Sequence, residues 1–137
     1  MKTKSSVAGL QSNPVKFLSV DEVLAIHERL IERFGGSAGI RDQGLLESAL
    51  YRPQTGYYND LASMAAALFE SLLLNHAFID GNKRVAFFAT DVFLRLNGCN
   101  LSVDNIETHQ FLIGNLEAGT CNYQVLQPWI VTNLVEL

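Results

Sequence analysis

The ten residues 75–84, reading NHAFIDGNKR, gather a histidine, a carboxylate, a glycine and two cations into one short polar stretch. They lie between two apolar segments, residues 61–74 and 85–96, which both read as buried helices, so the stretch reads as an active-site loop. The helix that follows begins with Asn82, Lys83 and Arg84, although unpaired N–H groups at a helix start carry partial positive charge and favour acidic neighbours. Two cations there cost about 0.3–1 kcal/mol each unless an anion is close by. A bound polyphosphate supplies that charge, and Gly81 lets backbone N–H groups close around it. The pattern predicts a phosphate site.

Two roles are open to Asp80. It is either a plain N-cap that partly offsets Lys83 and Arg84, or the ligand of a magnesium ion bridging the phosphates of a nucleotide. His76 stands four residues earlier, at the end of the preceding helix. Histidine ordinarily titrates near neutrality and can take a proton from an attacking hydroxyl; the alternative is a cation favoured at that helix's carboxyl end. Phe78, between them, is the apolar pin expected to fix the loop to the core. The Gly-rich phosphate loop ending in GK[S/T], GxGxxG, HExxH and GxSxG are all missing, which leaves P-loop, dinucleotide-binding, zinc-protease and serine-hydrolase chemistry without support.

The elements that must hold this loop are helical. Ser19 and Glu22 form a capping box, and Val20, Val23, Leu24, His27, Leu30, Ile31 and Phe34 share one face of a first helix ended by Gly35 and Gly36. His27, on that apolar face, is expected to be a satisfied core histidine outside the site. Asp42 caps a shorter helix that Pro53 stops. In the link RPQTGYYND, residues 52–60, Tyr57 and Tyr58 either grip a partner or fold back onto the core. Residues 61–74 are apolar on nearly every face, with Ala65, Ala66 and Ala67 allowing close helix approach and Glu70 either at a surface gap or paired with a cation. In residues 85–96 the expected stripe is Val85, Phe88, Ala89, Val92, Phe93 and Leu96. A helix over 105–117 capped by Asp104 follows, and Pro128 places the start of the last helix near Gln127, with Trp129, Ile130 and Leu134 inward.

A length of 137 residues suits one domain and buries about two thirds of the surface of the unfolded chain. Residues 1–14 are expected to be a flexible tail and residues 15–137 a single all-α domain of six or seven helices, since no strand period appears. Nearly half the residues are apolar and 18% are charged, as in folded soluble proteins. The net charge of −4 speaks against a general nucleic-acid surface, so no direct nucleic-acid partner is expected. There is no span of about 18 uncharged apolar residues and no apolar leader, and the two cysteines lack zinc spacing; a cytoplasmic protein with ordinary thiols and no membrane partner follows.

HAFIDGNKR resembles the signature HxFx(D/E)GN(G/K)R of the Fic/Doc superfamily. Its surroundings, IHERLIERFGGSAGIRDQGLLESALYRPQ and LFESLLLNHAFIDGNKRVAFFATDVFLRLNG, are similar to the Doc (death-on-curing) branch, over residues 18–101. The resemblance implies a compact helical Fic fold and transfer of part of ATP to a hydroxyl of a target protein. It implies His76 as general base, Phe78 as buried anchor, Asp80 as magnesium ligand, Gly81 and Asn82 as anion cradle, and Arg84 on the nucleotide phosphates, beside Lys83, which the charge at the helix start already directs to phosphate. Lys83 stands where Fic adenylyltransferases have a second glycine, and Phe87 where they have a second arginine. Both departures look like Doc and favour transfer of the terminal phosphate over adenylylation. Ala77 replaces a frequent proline, a position at which Doc members vary. No inhibitory (S/T)xxxE(G/N) sequence occurs, so the resemblance implies control by a Phd-type antitoxin, with a translation factor such as elongation factor Tu as substrate. A protein adenylyltransferase and a non-catalytic helical binding module are the competing readings.

Overall fold

The computed structural model describes residues 14–137; the tail expected over residues 1–14 lies outside the described residues except for Pro14. Among the described residues there are six α-helices: α1 (Val20–Phe34), α2 (Gln43–Tyr51), α3 (Leu61–Asn75), α4 (Asn82–Leu96), α5 (Asn105–Ala118) and α6 (Tyr123–Asn133). A single 3-10 turn, Arg52–Gln54, follows α2, and two short strands, β1 (Cys99–Leu101) and β2 (Leu134–Glu136), pair antiparallel. The architecture is all-α, as the periodicity implies.

Helix α3 is the axle. Leu61, Ala62, Ala65, Ala66, Leu68, Phe69, Leu72 and Leu73 are all buried, and the helix packs against α4, α6, α2 and the 3-10 turn. Burying a side chain the size of Phe69 contributes about 1.5–3 kcal/mol, so a helix with this many covered positions is held firmly along its length. Asp60 caps it through Ser63 N–H at 2.8 Å. Glu70 is paired with a cation: its Oε1 lies 2.6 Å from Arg52, and its Oε2 accepts from Tyr123 N–H at 2.6 Å. Desolvation works to lower the Arg52 pKa, but the hydrogen bonds with Glu70 and Tyr58 outweigh it and the pKa is raised. Tyr58 is thereby held against the protein, while Tyr57 is exposed.

Three expectations are corrected. In α4 the covered positions are Val85, Ala86, Ala89, Thr90, Phe93 and Leu94, whereas Phe88 and Leu96 are exposed. Small residues at 86, 89 and 90 let the neighbouring helices close in, so the buried face is the one with the least bulk. The last helix begins at Tyr123, before Gln127, and carries Pro128 in its interior. Asn122 caps it through Val125 N–H at 3.2 Å, and Glu70 anchors Tyr123 N–H; these ties and buried Leu126 offset the one intrahelical hydrogen bond that proline deletes, at about 3 kcal/mol. Leu134 is buried but belongs to β2, whose pairing with β1 has too few residues to show a period. Cys99 and Cys121 are free and buried, and burial pushes both thiols up, which keeps them protonated and unreactive.

Candidate active site

His76 closes α3 in the left-handed conformation, with φ 51° and ψ 50°, and is the one non-glycine residue with positive φ among the described residues. Such a backbone costs about 1–2 kcal/mol and persists only where its surroundings fix it. Arg41 does so: its Nε donates to His76 O at 2.6 Å and its Nη2 to Asn75 O at 3.0 Å. The N–H groups of Arg41 and Asp42 both donate to Ala77 O, at 2.7 and 3.0 Å. The carbonyls that end α3 are thus satisfied by Arg41, and the imidazole takes no part in capping. The His76 side chain is exposed and has no hydrogen bond among the described residues, so both ring nitrogens can face a ligand.

Phe78 is buried, and its ring lies on that of His27 with centroids 3.9 Å apart and planes within 12°. The Asn82 amide holds the loop from the other side: Oδ1 accepts from Phe78 N–H at 3.0 Å and Nδ2 donates to Phe78 O at 3.0 Å. Its side chain therefore closes the turn, using its carbonyl and one of its two amide N–H donors on Phe78. Asn82→Ala orphans a donor and an acceptor beside a buried ring; a loss of about 2–5 kcal/mol is expected, read as a lowered denaturation midpoint in urea.

Asp80 is not the helix cap. Gly81, at φ 78°, occupies that position and α4 has no side-chain cap. The Asp80 carboxylate instead accepts from Ser37 N–H at 3.0 Å and from Gly81 N–H at 2.8 Å. These two donors hold its pKa below the usual 3.8, with Arg84 and His27 adding a smaller pull. A carboxylate lowered on folding stabilises above its ordinary pKa and loses that contribution as pH falls through the lowered value. The melting temperature of the wild type is therefore expected to exceed that of Asp80→Asn by a constant margin from neutral pH down to about 4, with the margin closing below it. A margin unchanged at lower pH would contradict this.

At the start of α4, Val85 N–H reaches Gly81 O, while the N–H groups of Asn82, Lys83 and Arg84 have no partner among the described residues. Neither Lys83 nor Arg84 forms an ion pair among those residues; the Arg84 guanidinium lies over the Phe34 ring, 4.7 Å from its centroid. Three open donors, two cations and an ionised carboxylate thus share one helix start. This set fits a magnesium-bound polyphosphate, because Mg²⁺ commonly takes one or two carboxylates and completes its shell with phosphate oxygens and water. No group of three or more His, Cys, Asp or Glu able to cage a metal occurs among the described residues.

The loop's holders were not visible as such in the sequence. His27, Gly36, Ser37 and Arg41 come from α1 and the glycine-rich link, more than thirty positions away, as the separations of 53, 43 and 35 for the His27, Ser37 and Arg41 contacts show. Gly35 and Gly36 read as the end of the first helix and gave no partner for the loop.

A family model described as Fic/DOC family matches residues 17–94. Toxin Doc of Mycolicibacterium smegmatis is 40% identical over 95 residues, covering 65% of this chain and 73% of that protein. Protein kinase doc of Escherichia phage P1 is 31% identical over 104 residues, covering 73% of this chain and 82% of its own length.

Proposed function

Since this chain belongs to the Fic/DOC family, we propose that it is the toxin of a toxin–antitoxin module and transfers the terminal phosphate of ATP to a hydroxyl of a target protein. The observation that carries this reading is the first turn of α4, where open N–H groups and two cations meet a carboxylate held ionised. Asp80 would hold Mg²⁺, whose charge offsets that of the phosphates when bound. Lys83, Arg84 and the N–H groups of residues 82–84 bind and orient the phosphate chain, since phosphoryl transfer is largely positioning and electrostatics. His76 takes the proton of the target hydroxyl as its oxygen bonds to the terminal phosphorus, and the bond from that phosphorus to ADP breaks. Phe87 and Lys83 stand where adenylyltransferases have arginine and glycine, and the phage relative is named a protein kinase; both support terminal-phosphate transfer.

A Phd-type antitoxin is the proposed partner, and a translation factor such as elongation factor Tu the proposed substrate, in the cytoplasm. Among the described residues no helix is long and apolar enough to cross a membrane. Incubation with a cell lysate and ATP labelled at either the α or the γ phosphate tests the chemistry. Label entering protein from the γ position alone is expected. Label from the α position would replace this reading with adenylylation.

A further inference from the structure

We propose that His27 is a positioning residue of the phosphate site, acting through one peptide group to aim the Asp80 carboxylate; this rests on Asp80 being the magnesium-holding residue. The side chain is 4% exposed and takes no part in the transfer described above. Its Nε2 lies 2.7 Å from Asp80 O. A carbonyl oxygen only accepts, so Nε2 carries the proton and donates it. Stacking on Phe78 holds the ring itself in place.

The carbonyl of Asp80 and the N–H of Gly81 belong to one planar peptide and point in opposite directions. Drawing the carbonyl inward to His27 therefore turns the Gly81 N–H outward, where Asp80 Oδ1 accepts it at 2.8 Å and leaves Oδ2 for Ser37 N–H. This peptide needs a hold. Rotating it requires changes only in ψ of Asp80 and φ of Gly81, and glycine populates both signs of φ, so intrinsic preference does little to prevent a flip. An apolar side chain at 27 would fill the same core space and let the peptide turn over, carrying Gly81 N–H away from the carboxylate.

Two variants of the full chain separate the donor from the ring. His27→Phe keeps a flat ring on Phe78 and removes the donor, and His27→Gln restores a donor. In ¹⁵N-labelled protein, His27→Phe is expected to move the amide signals of Gly81 and Ser37 and to weaken binding of Mg²⁺-ATP, measured calorimetrically, about 10- to 100-fold. His27→Gln is expected to return both most of the way. Unmoved Gly81 and Ser37 amides in His27→Phe would reduce the residue to core filler and overturn the proposal. A wild type that fails to bind Mg²⁺-ATP counts against the phosphate reading, and the amide signals then decide on His27 alone. Should His27→Phe fail to fold, the wild-type imidazole decides: ring ¹⁵N correlation must find the proton on Nε2, and a proton on Nδ1 only would overturn the assignment.

Discussion

Replacing His76 by glycine is expected to abolish transfer and make the protein more stable. Loss of a general base lowers the rate about 100- to 10,000-fold. The ring is exposed and without a hydrogen-bond partner among the described residues, so its removal costs little packing, while glycine adopts φ 51° without the strain that a Cβ meets there. Relief of that strain is worth about 1 kcal/mol. His76→Ala, which keeps the strain, should lose the same activity without the gain in melting temperature. Growth arrest on expression, γ-label transfer and thermal denaturation check all three quantities. Undiminished toxicity in both variants would revive a protein that acts only by binding.

Gly36→Ala is expected to have the second largest effect, although the residue bears no functional group. Its φ of 111° is unfavourable for any L side chain, and a Cβ there would stand 2.6 Å from Asp80 Oδ2 and 3.3 Å from its carboxyl carbon. Backbone strain of this kind costs about 1–3 kcal/mol. The carboxylate must also leave its seat on Ser37, so γ-label transfer should fall by an amount approaching that of Asp80→Asn, with Mg²⁺ dependence shifted to higher concentration. Gly35→Ala makes the control, because a Cβ there meets nothing within 4 Å although its φ is likewise positive, at 85°. Equal losses in the two glycine variants would mean that backbone strain alone is responsible and that contact with Asp80 is irrelevant.

Much of the site's chemistry was legible because it is contiguous. The excess of positive charge at the start of α4 follows from Lys83 and Arg84 alone, and helices α1, α2 and α5 were marked by caps at Ser19, Asp42 and Asp104 that the structure contains. What stayed hidden was which backbone groups those residues answer to. A cap was one of the two roles open to Asp80 because Asp often is one; its carboxylate faces Ser37 because the link after α1 runs beside the loop, with Ile40 bridged to Phe78 and Ile79 N–H donating to Gly39 O. His27 read as a core residue, and it is buried as expected, but sequence gives no sign that its hydrogen-bond partner is the loop. Pro128 misled for a related reason: its local penalty is real, and long-range ties at Tyr123 and Leu126 outweigh it.

The span between His27 and Asp80 also sets a clock. Synthesis of the 53 positions separating them takes about 3–11 s at ordinary ribosomal speed, and through that interval α1 has been made without α4, one of the helices against which it packs. The residues that would act on phosphate arrive as one short burst, yet their support was translated earlier and waits. A nascent chain that has not yet released α4 therefore holds no assembled phosphate site, and the chemistry proposed for this toxin begins only when its two halves meet.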